Sequence, residues 1–223
     1  MESIALHTSY LNWVFPAFLL VFGLVAFLRT FYPKHFADYQ RLLVNNKYIV
    51  IYGKKETRGH LFTIVLYFLQ CISLSLFLYI WLKSEGITQL FNQRFMYLEL
   101  LVIVIIVLSI KLLFQQWISS LFELSEFSKE YIFSRISYTS YASIMMILVL
   151  FIGVYSQMIN RILVYTLLLL LLIISILSWV KIINANRKEI KSYLLYFILY
   201  LCTLEIAPYV YLFYGVKALF GNE

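Results

Sequence analysis

Apolar residues along this chain gather in long runs, and the polar residues collect in the stretches between them. A helix needs about 20 mostly apolar residues to cross roughly 30 Å of hydrocarbon. Six runs come close to or exceed that length: residues 11–28, 61–82, 95–116, 141–158, 162–180 and 193–214. In lipid the backbone must satisfy its own hydrogen bonds, so such runs become helices. The pattern therefore predicts an all-α polytopic membrane protein, one integral membrane domain over residues 1–223, built as a bundle of six transmembrane helices. The first run is expected to be a retained span, because residues 1–10 lack a basic segment and no small-residue cleavage site follows.

Two connections are long enough to be helices themselves. In residues 32–45, Tyr32, Phe36, Tyr39, Leu42 and Leu43 fall on one arc, opposite Lys34, Asp38, Arg41 and Asn45, and Pro33 suits a first turn. This reads as an interfacial amphipathic helix whose basic face meets anionic headgroups, although the same arc would serve a helix packed on the ends of the bundle. Residues 118–136 set Leu121, Leu124, Phe127 and Tyr131 against Glu123, Glu126 and Glu130. A second interfacial helix is expected there, with an acidic face suited to basic loops or a partner protein. The run KYIVIYGKK at residues 47–55 alternates aromatic and branched side chains and is expected to be a short strand or an extended interfacial segment.

Composition supports the membrane reading. Residues are 63% hydrophobic and only 13% charged, far below the roughly 25% charged of a soluble domain. Charge then adds orientation. Thirteen of the 18 Lys and Arg residues lie in the segments after the first, third and fifth spans, four lie on the other side, and Lys111 lies inside the third span. The bias predicts cytoplasmic basic loops and both termini in the periplasm. The net charge of +7 is thus a topology signal, and no nucleic-acid partner is expected.

Polar groups inside hydrocarbon are costly and mark candidate functional positions. Glu99 lies about one turn from the outer end of span three, and Lys111 can snorkel toward the inner interface. Glu205 lies near the middle of span six. Pro208 removes a backbone donor beside it, Tyr209 follows one turn on, and Gln70 of span two stands at a similar depth. A carboxyl held among such donors suits either a proton relay or a hydrogen bond that fastens two helices. Arg58 and His60 at the mouth of span two could meet a headgroup, as could Lys34 and Arg41. Cys71 and Cys202 are single thiols in separate spans, and His7, His35 and His60 are scattered, so no metal site and no cofactor are expected. No catalytic motif is found.

The segment YLCTLEIAP at residues 200–208 resembles the L-C-x-L-E-I-x-P pattern of a bacterial family of multi-span inner-membrane proteins known as a domain of unknown function. The run LLVNNKYIVIYGKK at 42–55 is similar to that family's first cytoplasmic loop. After Pro208 the family pattern continues with leucines and a Tyr-Lys, whereas this chain has YVYLFY and a displaced Lys217. The resemblance implies an inner-membrane location and no stated activity. The leading expectation is a non-enzymatic subunit or assembly factor that meets the lipid bilayer and other membrane proteins. The alternative is a small proton-coupled transporter or lipid-handling protein using Glu205.

Overall fold

A computed structural model describes residues 14–42, 47–52, 60–84, 95–121, 125–156 and 161–185. They form seven helices: α1 (Val14–Phe31), α2 (Pro33–Gln40), α3 (Lys47–Tyr52), α4 (His60–Ser84), α5 (Met96–Leu121), α6 (Ser125–Tyr155) and α7 (Arg161–Ala185). Four are long and apolar enough to cross a membrane: α1, α4 over Leu61–Lys83, α5 over Met96–Trp117 and α6 over Glu130–Tyr155. The chain is thus a helical membrane protein. Helix α7 carries a shorter apolar stretch, Leu163–Ser178. The sixth expected span, 193–214, lies outside the described residues.

Helices α4 and α6 form the centre. Helix α4 packs on α1, α5 and α6, while α6 also packs on α5 and α7. About half of the span is buried in α4 and α6, at 50% and 56%, against 22% in α1 and 11% in α5. One apolar core joins Phe18 and Val21 of α1, Leu69 and Leu76 of α4, Leu100 of α5, Met146 and Leu150 of α6 and Leu167 of α7. Phe18 and Phe22 meet Phe151 edge-on, each at 5.3 Å between ring centres, a geometry aromatic quadrupoles favour. At the far end Gly153 lets α7 approach, since a Cβ there would meet Leu163 Cδ1 at 3.0 Å.

A second core closes one end of the bundle. Pro33 cannot continue α1, because its ring fixes φ and removes a donor, so the chain turns at Tyr32 and starts α2. Leu28, Phe36, Tyr39, Leu42 and Tyr48 gather there with Phe62 of α4 and Tyr138 of α6. The expected arc on residues 32–45 is real, with Phe36, Tyr39 and Leu42 buried and Lys34 and Arg41 exposed. Its apolar side rests on Leu28, Phe62 and Tyr138, so α2 is a cap packed on the helix ends.

Two expectations are corrected. Residues 47–52 are helical. The helix brings the Tyr48 and Tyr52 rings to 5.2 Å, whereas four residues of strand would separate them by about 13 Å. The separate interfacial helix over 118–136 is also replaced: α5 runs on to Leu121, and α6 begins at Ser125 and continues unbroken into the membrane. No proline interrupts residues 125–155, and Tyr131 and Ile132 pack beside Leu112 of α5, so nothing detaches the first turns of α6 from the span.

Candidate functional site

At the cap end, polar residues converge between α4, α6 and α7. Serines 134, 137, 140 and 143 recur every three residues along α6, and all four are buried. Three residues turn a helix by 300°, so the row winds by about half a circumference over these positions. Small side chains let neighbouring backbones come close around that arc. Ser140 Oγ accordingly reaches the Leu66 carbonyl of α4 at 3.1 Å.

Gln70 is buried on α4, and its Oε1 accepts from Thr139 Oγ1 of α6 at 3.0 Å, with Ser140 Oγ at 3.5 Å. The Thr139 hydroxyl also lies 2.8 Å from the Arg135 carbonyl and 3.2 Å from that of Ile136. Having one proton, it donates to one of the three at a time. Gln70 thus fastens α4 to α6. Its expected neighbour Glu205 lies outside the described residues, as do Pro208, Tyr209, Arg58 and Glu123.

Arg135 is the residue that sequence reasoning misplaced. Counted as a loop cation, it is buried on α6, with Nη2 donating to Ser175 Oγ at 2.9 Å and Nη1 to the Ser175 carbonyl at 3.4 Å. It stands about 30 Å along the helix axis from Tyr155, within the apolar segment Glu130–Tyr155. Lys181, also read as a loop cation, extends back to the Leu42 carbonyl at the end of α2, 3.3 Å away, and lies 5.9 Å from the centre of the Tyr138 ring. A cation at a helix C-terminus is stabilising, and here it ties α7 to the cap. The three-residue serine spacing around Arg135 was the available signal that this stretch of α6 is enclosed.

The cap is held by aromatic and polar contacts together. Tyr39 donates to the Ser137 carbonyl at 3.3 Å, and Tyr52 donates to Asp38 Oδ2 at 3.1 Å. Tyr48 stacks on Phe133 of α6 at 5.5 Å, and His35 lies over Tyr52 at 4.1 Å. Burial pushes the Tyr39 hydroxyl well above its usual range, reinforced by Tyr48 and Tyr141. Burial likewise raises Tyr48, partly opposed by its hydrogen bond to Ser137. His35 is held below its usual 6.5 by desolvation, with Asp38 pulling the other way.

The other candidates stand apart. Glu99 is half-buried in the first turn of α5, and Lys111 is half-buried nearer its other end. Glu130 is half-buried on α6, while His60 and Glu126 fall in the first turns of α4 and α6. The structure brings Gln70 into the polar seam and leaves Glu99 near the opposite end of the bundle.

This chain belongs to the family described as a domain of unknown function, DUF4271, whose model matches residues 14–216. The match covers the cap, the central helices and the segment bearing the YLCTLEIAP motif. No curated protein and no solved structure matches the chain.

Proposed function

We propose that this protein is a non-enzymatic subunit or assembly scaffold of a membrane protein complex, which presents its α2–α3 cap to a partner. One observation carries the reading: the loop after α1 is a folded platform anchored on α6 and α7 through Tyr39, Tyr48 and Lys181, with Lys34 and Arg41 left on its outer surface. A mere connection would not need such anchoring, whereas a docking surface gains from being rigid before it binds. The excess of Lys and Arg on this side supports a cytoplasmic cap with both termini on the opposite face of a membrane crossed six times, and the family resemblance supports a bacterial inner membrane. The exposed basic side of the cap selects an acidic partner surface.

The test is purification in mild detergent with a photo-crosslinker at Lys34 or Arg41 and a control crosslinker at the lipid-facing Ile106. A stoichiometric partner captured from the cap alone, and lost in the double variant Lys34→Glu, Arg41→Glu, is the expected result. A partner-free monomer in repeated preparations overturns the reading.

A second reading is favoured by the buried polar seam of Gln70, Thr139 and Ser140: a proton-coupled transporter or lipid-handling protein in which Glu205 titrates. Glu205→Gln keeps shape and hydrogen bonding. Unchanged function in cells would sink this second reading.

A further inference from the structure

We infer that His35, Asp38 and Tyr52 form a proton-operated latch inside the cap. With His35 neutral, the Asp38 carboxylate is held by Tyr52, and the last turn of α3 stays fastened to α2. With His35 protonated, the imidazolium leaves its aromatic neighbours for Asp38 and water, and that turn is released. The inference goes beyond the docking role and stands without it.

The three groups touch one another in pairs across two helices. Asp38 Oδ2 accepts from the Tyr52 hydroxyl of α3 at 3.1 Å. The Tyr52 ring lies 4.1 Å from the His35 ring at a tilt of 34°, and Phe62 of α4 lies 5.7 Å from it at 35°. Asp38 follows His35 by one turn of α2, near enough for its charge to favour the imidazolium. Tyr52 therefore binds α2 twice, through His35 and through Asp38.

A proton on His35 weakens both links. The imidazolium has two N–H donors to satisfy, and the faces of Tyr52 and Phe62 offer no acceptor. Ring faces do attract a cation, but a charge-assisted hydrogen bond to a carboxylate is stronger. Burial holds His35 below its usual 6.5, so the ring is neutral at pH 7 and charges as pH falls below that value.

The groups around His35 leave Asp38 as its partner. Arg29 of α1 and Lys34 and Arg41 of α2 are exposed cations, Tyr32 meets His35 edge-on at 6.0 Å, and burial raises Tyr48 and Tyr52 of α3. Helices α2, α3 and α4 contain no other carboxylate. His60, which opens α4, is the other imidazole on these helices and serves as a control.

The test titrates the full chain in nanodiscs from about pH 7.5 to 5, with isotope-labelled His and Tyr read by NMR. The Tyr52 signal, identified by its loss in Tyr52→Phe, should move with the midpoint of His35, should stay still in His35→Gln, and should still move in His60→Gln. Tyr138, fully buried in the same core, should not move, which separates release of one turn from unfolding of the cap. The His35 midpoint should fall in Asp38→Asn and rise in Tyr52→Phe, each by about half a pH unit or more. These opposite signs distinguish a latch from side chains that only pack. A Tyr52 signal that moves equally in His35→Gln, that stops moving in His60→Gln, or that moves only together with Tyr138 overturns the inference. So does a His35 midpoint that neither Asp38→Asn nor Tyr52→Phe shifts. Should a variant fail to fold, the wild-type titration still decides, because different midpoints for His35 and Tyr52 also overturn it.

Discussion

Helices α5 and α6 are neighbours and both cross the membrane, yet they invert the rule that governs soluble proteins. Of the four clear spans, α5 is the most apolar and the least buried, and α6 is the least apolar and the most buried. Ile106, Leu113 and Trp117 of α5 are exposed, whereas Ser137, Ser140 and Arg135 of α6 are buried. Lipid tails are as apolar as leucine, so no hydrophobic force drives α5 inward. Polar side chains cannot face lipid, so α6 must be surrounded. Small hydroxyl residues serve both needs, because they satisfy their own helix's carbonyls and let other helices come close. Ser137 Oγ lies 2.8 Å from the Phe133 carbonyl, and Ser143 Oγ lies 2.9 Å from that of Thr139.

The strongest challenge to this contrast is to make α6 more apolar. Ser140→Leu adds hydrophobic surface but forces α4 away at Leu66, and it should cost about 2–3 kcal/mol in reversible unfolding from detergent. A gain in stability would break the comparison. Next, Gln70→Leu removes the acceptor for Thr139 and Ser140, and the same assay should show a loss of about 1 kcal/mol, typical of an interhelical polar contact.

The cap should respond to pH. Because the folded state holds His35 below its usual value, the unfolded chain binds the proton more tightly, and stability present above about pH 6.5 is lost as pH falls. Tyr39 behaves in the opposite sense: its raised value gives stability that is complete below pH 10 and declines above it. Protection of α2 amides, taken relative to the intrinsic exchange rate at each pH, should fall on acidification from pH 7 to 5, and His35→Phe should flatten that response. An equal fall in the protection of α5 would show a global effect instead. The smallest change is expected at the lipid face, where Ile106→Ala should alter stability by less than about 0.5 kcal/mol. A loss as large as that of Gln70→Leu would mean that α5 is covered by protein.

Much of this was legible in the chain. The apolar runs marked α1, α4, α5 and α7 as helices, since a long apolar stretch in lipid must satisfy its own backbone hydrogen bonds. Pro33 and the arc of Phe36, Tyr39 and Leu42 marked α2. The alternation in KYIVIYGKK misled, because Phe133, on which α3 packs through Tyr48, lies far away in sequence. Arg135 was misplaced for a related reason: a cation next to an apolar run reads as a loop anchor unless the helix is known to continue past it. Glu205, foremost among the sequence candidates, falls outside the described residues, so the site stands on other side chains.

The sequence by itself determined that the chain is helical and membrane-embedded, because those properties depend only on local apolarity and on the cost of unpaired backbone in lipid. It also determined family membership. The tertiary structure decided which helix is central, what α2 rests on, and that Arg135 and Lys181 turn inward. Those outcomes depend on contacts between residues such as Arg135 and Ser175 or Lys181 and Leu42, whose proximity no local pattern encodes.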